Sequence, residues 1–86
     1  MDQSTRYDQT QQLKDYLSQP VRKRSIVIAG HATSVSLEQA FWDYLSGLAN
    51  KEGVSLNALI TEIDQNRSTS LSSALRLFVL LRATQT

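Results

Sequence analysis

Eighty-six residues make one small domain, which buries a limited share of its surface on its own and gains from a partner. The chain has no cysteine, so disulfides and thiolate metal sites are excluded and a reducing cytosol is allowed. A formal net charge of +1 is too small for the whole protein to act as a polycation; with no signal-peptide pattern at the start, and no apolar run near the roughly 20 residues of a membrane span, a cytoplasmic protein is expected.

In chain order, residues 1–20 read as a polar arm and residues 21–86 as the folded domain. The arm is glutamine-rich (Gln3, Gln9, Gln11, Gln12, Gln19) and lacks the apolar content to fold alone. Leu13, Tyr16 and Leu17 share one side of a short helix that Pro20 would end. Such an arm is either a variable terminus or a segment that docks on a partner protein or nucleic acid.

Arg22, Lys23 and Arg24 precede a β-branched run at 25–29 that reads as strand. Residues 21–37 carry these three basic side chains and no acidic one. A second strand pattern runs from Thr33 to Leu37, with Val35 and Leu37 on one face and Ala32, Ser34 and Ser36 on the other. Ile26 and Ile28 differ in parity from Val35 and Leu37, so one unbroken strand would turn them to opposite faces. A turn or bulge at Gly30, beside His31, resets the phase.

Ser36 followed by Gln39 has the spacing of a capping box, which starts a helix at Leu37 or Glu38. Its apolar stripe is Leu37, Phe41, Tyr44, Leu45, Leu48 and Ala49, with Trp42 at the edge of the core. Gly53 closes it. Ser55 caps a second helix whose stripe is Leu56, Leu59, Ile60 and Ile63. Residues 65–70 are a polar break, and Ser70 caps a third helix from Leu71 to about Arg82. That helix is apolar around much of its circumference, as befits one buried on several sides or shared between subunits.

A strand, a helix of about four turns, a glycine turn, a serine cap and a second helix resemble the ribbon-helix-helix fold of the MetJ and Arc class of repressors. The residues that carry the likeness are SVSLEQAFWDYLSGLANKEGVSLNALI, 34–60. More narrowly, GHATSVSLEQAFW, LITEID and LSSALRLFVL are similar to a bacterial family of small ribbon-helix-helix domain proteins, over roughly residues 24–81. The resemblance implies a mainly α fold with a short β-ribbon: an intertwined homodimer with an additional C-terminal helix. A strand with an unpaired row of backbone groups needs a second strand, which a two-fold axis would supply from another copy. An intrachain hairpin of 25–29 against 33–37 would supply it as well. The expected dimer core is Val35, Leu37, Phe41, Leu45, Leu59, Ile60 and Ile63.

An antiparallel ribbon is narrow enough for the DNA major groove. The DNA-binding candidates are therefore Ala32, Ser34 and Ser36 on the ribbon, Arg22, Lys23 and Arg24 for phosphates, and His31 beside them. To these the resemblance adds the start of the second helix at Ser55 and Asn57, where the amides of residues 56–58 and the helix dipole favour an anion. The ribbon side chains are small where such repressors often carry long polar or basic ones. Near-neutral charge and small side chains give the competing expectation, a protein-interaction module such as an antitoxin-like or adaptor dimer that binds a second protein through the arm or the last helix. Catalytic residues, metal ligands and cofactors are not expected. A single histidine offers few nucleophile and base pairs, and no phosphate loop, HExxH or nucleophile elbow occurs. Arg67 has no assigned role, and Arg76 needs a partner, with Glu62, Asp64 or another subunit as candidates.

Overall fold

The computed structural model describes residues 3–85; Met1, Asp2 and Thr86, the outer ends of the expected arm and domain, lie outside them. The element order is α1 (Gln3–Leu17), β1 (Arg22–Ile28), β2 (His31–Leu37), α2 (Gln39–Glu52), α3 (Leu56–Gln65) and α4 (Leu71–Thr84). The chain is thus mainly helical, with a two-stranded antiparallel ribbon, the strand-helix-helix order, and an additional C-terminal helix.

The ribbon is a hairpin within one chain. Its register pairs Arg22 with Leu37, Arg24 with Val35, Ile26 with Thr33 and Ile28 with His31. The two-residue turn, Ala29 and Gly30, has φ of 52° and 82°. Two positive φ values are the turn geometry that matches the right-handed twist of the flanking strands. The turn performs the phase reset: Ile26 now shares a face with Val35 and Leu37, and all three are buried. β2 finds its partner in the same chain, so strand pairing alone no longer requires a second copy. Both strands start earlier than their apolar patterns suggest, and the basic run lies inside β1 rather than ahead of it.

The capping box at Ser36 does not form. Ser36 is a strand residue opposite Lys23, and α2 starts at Gln39 after Glu38, which makes no side-chain cap. Gln39 Nε2 instead donates to Asp43 Oδ1 at 2.8 Å. Ladder pairing up to Leu37 outweighs a local serine cap, because it holds Leu37 fully buried against the helices. Leu37, held in the strand, no longer anchors the helical stripe. Trp42, Leu45 and Ala49 are buried, Phe41 and Leu48 are half-buried, and Tyr44, expected in the stripe, is exposed. Trp42 is central to the core rather than at its edge.

The other helix ends follow the sequence. Gly53 is left-handed at φ 72° and its amide reaches the carbonyls that end α2. Ser55 Oγ accepts from the Ala58 amide at 3.0 Å, and Ser70 Oγ from the Ser73 amide at 3.2 Å. One core joins Ile26, Val35, Leu37, Trp42, Leu45, Ala49, Leu59, Ile60, Leu71, Leu75 and Val79. α3 packs on α2 and β1, and α4 packs on α2, α3 and β2.

Two ion pairs tie α4 to both ends of α2. Arg76 meets Glu38 at 3.0 Å, not Glu62 or Asp64, and Arg82 meets Glu52 at 2.8 Å. Arg67 pairs with Asp64 and donates to the Thr69 carbonyl, fixing the α3–α4 corner. At the other end of the molecule, α1 leans on α2 through the Tyr16 hydroxyl, which donates to Asp43 Oδ2 at 2.8 Å. That bond raises the phenol pKa above its ordinary 10.0, since the carboxylate accepts from the protonated form. Leu13 and Leu17, expected beside Tyr16 on one side of this helix, are exposed.

Candidate nucleic-acid interface

Alternation along a paired ribbon assigns every side chain to one of two faces. The inner face carries Arg22, Arg24, Ile26, Ile28 and, across from them, Leu37, Val35, Thr33 and His31. The outer face carries three cross-strand pairs in a row: Lys23 with Ser36, Ser25 with Ser34, and Val27 with Ala32. All six are exposed.

The hairpin therefore brings Ala32, Ser34 and Ser36 together on one open face, and divides the basic run. Lys23 alone of the three points outward. Arg24 turns inward, half-buried, with its guanidinium 5.2 Å from the centre of the Trp42 ring. Arg22 is on the same face but at the ribbon's end, where its carbonyl accepts from Trp42 Nε1 at 2.9 Å and its side chain stays exposed. His31 is exposed beside the turn and belongs, by register, to the inner face, away from Ala32, Ser34 and Ser36.

Three outer-face residues were not singled out in the sequence as a set. Ser25 and Val27 double the open face, and Lys23 becomes its one charge. The signal was available: once the turn is placed at Ala29 and Gly30, counting back from it pairs 25 with 34 and 27 with 32. Along both strands the side chains include no acid, so nothing on the ribbon offsets the single positive charge of Lys23 on this face.

At α3, Ser55 and Asn57 are exposed at the helix start. The Ala58 amide is occupied by the Ser55 hydroxyl, which leaves the first-turn amides of Leu56 and Asn57 ahead of the helical ladder. An anion placed there meets two amides and the positive end of the dipole. Of the residues expected at a dimer core, Val35, Leu37, Leu45, Leu59 and Ile60 are buried in this chain's core, while Phe41 and Ile63 are half-buried. Among the described residues no cluster of three or more His, Cys, Asp or Glu is placed to hold a metal ion, and no helix is long and apolar enough to cross a membrane.

Comparison with known proteins places this geometry. The ribbon-helix-helix domain matches residues 21–83, from just before β1 nearly to the end of α4. Among solved structures, the chain is similar to an uncharacterized protein from Bordetella pertussis Tohama I. Identity is 28%, the TM-score is 0.65, and the match covers 84% of this chain and 66% of that one. The chain thus spans just under two thirds of the length of that relative. No curated protein matches significantly.

Proposed function

Since the chain belongs to the ribbon-helix-helix domain family, we propose that it is a homodimeric DNA-binding protein, a small cytoplasmic transcriptional regulator in bacteria, with its hairpin in the major groove. The observation that carries this reading is the outer face of the ribbon: six exposed side chains in cross-strand pairs, with Lys23 among them and no acid on either strand. A two-stranded ribbon fits the groove, and its outward side chains then meet base edges. Lys23 suits a guanine edge or a phosphate. Ser25, Ser34 and Ser36 can donate or accept, and Val27 with Ala32 offers an apolar contact for a thymine methyl. Arg22, His31 and the amides beside Ser55 and Asn57 hold backbone phosphates, while Arg24 acts chiefly by bracing the ribbon on Trp42. Enzymatic chemistry forms no part of the proposal.

Small side chains at Ala32, Ser34 and Ser36 favour a second reading, a protein-interaction dimer with little affinity for DNA. One experiment separates the two. Binding to random-sequence duplex DNA is measured across a salt series for the native chain and for the Arg22→Ala, Lys23→Ala, Arg24→Ala triple variant. The DNA reading expects affinity that falls steeply with salt and a shallower slope in the variant. A folded native protein that fails to retain duplex DNA even at low salt rejects it in favour of the interaction module.

A further inference from the structure

Helix α4 is apolar on two sides. Leu71, Leu75 and Val79, spaced four apart, face the core and are buried, whereas Leu77, Leu80 and Leu81 are 59%, 60% and 58% exposed. Between α4 and α3 runs a groove of about 390 Å³. Its α3 wall is Leu59, Glu62 and Ile63, and its α4 wall is Ala74, Leu77, Phe78 and Leu81. Each wall is thus one helix face at three-and-four spacing. The α4 wall spans about two turns, or roughly 10 Å. Two helix faces laid side by side form a furrow that accepts the side-chain ridge of a third helix.

Charge selects among the occupants. Arg82 is paired with Glu52 and Arg67 with Asp64, all within the chain. Glu62 is exposed on the α3 wall and has no ion-pair partner among the described residues. The uncompensated charge of the groove is therefore a carboxylate beside apolar side chains, which repels phosphate and favours a cation. A second copy presenting the same face brings no free cation to Glu62, because its arginines are engaged in the same pairs. A small organic cation seated in the groove would leave Leu80 in water. Leu80 lies outside the lining but shares a helix face with Leu77 and Leu81, and contiguous apolar surface of this kind marks a protein contact.

We propose that the α3–α4 groove receives an amphipathic helix of a different protein, at least about two turns long, with apolar side chains at three-and-four spacing and a lysine or arginine against Glu62. The apolar stripe of that helix packs on Ile63, Leu77, Phe78 and Leu81 and covers Leu80 at its edge. The inference goes beyond the DNA-binding reading and is independent of it. None of the six outer-face ribbon residues lines the groove, so a bound helix leaves the hairpin open.

The test uses three fluorescein-labelled synthetic helical peptides of about 14 residues. One carries leucines at three-and-four spacing with a flanking lysine, one has glutamate in place of that lysine, and one has the leucines scrambled. The full chain is titrated into each and anisotropy is read, with far-UV circular dichroism as the control for folding. The lysine peptide is expected to bind at least about threefold more tightly than the glutamate peptide, and the scrambled one not to bind. Glu62→Lys, at an exposed position that leaves the core intact, is expected to reverse the order of the first two. The Leu77→Glu, Leu81→Glu double variant is expected to weaken the lysine peptide at least about tenfold. A native chain that binds none of the peptides, as it would with a second copy already over the groove, overturns the proposal. So does binding that ignores the sign of the peptide charge or the Glu62→Lys change. Retention of duplex DNA by the same preparation decides the regulatory reading separately.

Discussion

The indole Nε1 of Trp42 donates a 2.9 Å hydrogen bond to the Arg22 carbonyl, so the most buried aromatic side chain of α2 holds the first residue of the ribbon. Arg24, two residues along the same face, caps the same ring from the solvent side at 5.2 Å. Ribbon and helix are therefore fixed by one side chain. Truncating Trp42 to alanine empties a large core site and is expected to cost about 3–5 kcal/mol. Trp42→Phe keeps most of the packing but loses the indole donor, and its cost is expected to be smaller, with about 1 kcal/mol from the hydrogen bond. Urea unfolding followed by far-UV circular dichroism measures both, and a Trp42→Phe variant as stable as the native chain would show that the bond to Arg22 contributes nothing.

The hairpin turn offers a change in the opposite direction. Ala29 sits at φ 52°, in the left-handed region that alanine rarely adopts, next to Gly30 at φ 82°. Asparagine tolerates that conformation, and Asn-Gly is the preferred pair in such turns. Ala29→Asn is expected to stabilise the protein by about 0.5–1 kcal/mol, and Gly30→Val to destabilise it by about 1–2 kcal/mol. Thermal melting gives the two signs directly; like signs would mean that left-handed backbone preference does not govern the stability of the turn.

These two sites also show what the sequence reveals and where it stops. The conflict of parity between Ile26 and Val35 pointed to a reset at Gly30, and the caps at Gly53, Ser55 and Ser70 were visible because each is a local bargain between a side chain and nearby amides. The strand-helix-helix order followed from them. Ser36 misled, because a serine ahead of a glutamine describes a cap equally well whether or not the strand runs on. Only the pairing of Ser36 with Lys23, a contact between distant parts of the chain, decides it. With Leu37 held in the strand rather than the helix, the buried stripe of α2 runs through Trp42 and leaves Tyr44 out. The candidate site was legible as a list of residues. Its division, with Lys23 outward and Arg24 inward, needed the register.

Acid should act on the Glu38–Arg76 contact. The Glu38 carboxyl is held below its ordinary 4.5, first by a hydrogen bond from its own backbone amide and next by Arg76. A carboxyl depressed in the folded state contributes stability that is fully present above the unfolded value and is lost as pH falls through the folded one. The contribution should therefore be intact at pH 6–7 and disappear only on acidification below 4.5. Both side chains are partly exposed, so the effect is small and screened by salt. Urea midpoints taken from pH 7 down to pH 3 should fall less steeply for Glu38→Gln than for the native chain, and parallel curves would assign the acid sensitivity to other carboxylates.

The two faces of the ribbon predict that neighbouring basic residues behave differently. Lys23 is exposed on the outer face, so Lys23→Ala should leave stability nearly unchanged. If Lys23 contacts a phosphate, the substitution lowers the salt slope of DNA binding by about one. Arg24 is half-buried over Trp42, so Arg24→Ala should lower stability by about 0.5–1 kcal/mol through the lost cation–π contact and change the slope little. Arg22, at the exposed end of the strand, should resemble Lys23 in its slope. Denaturation and a salt series on the three single variants resolve the pattern. If all three lower the slope equally, the inner face also reaches the DNA; a slope that depends on Arg24 but not on Lys23 would reverse the proposed orientation of the hairpin in the groove.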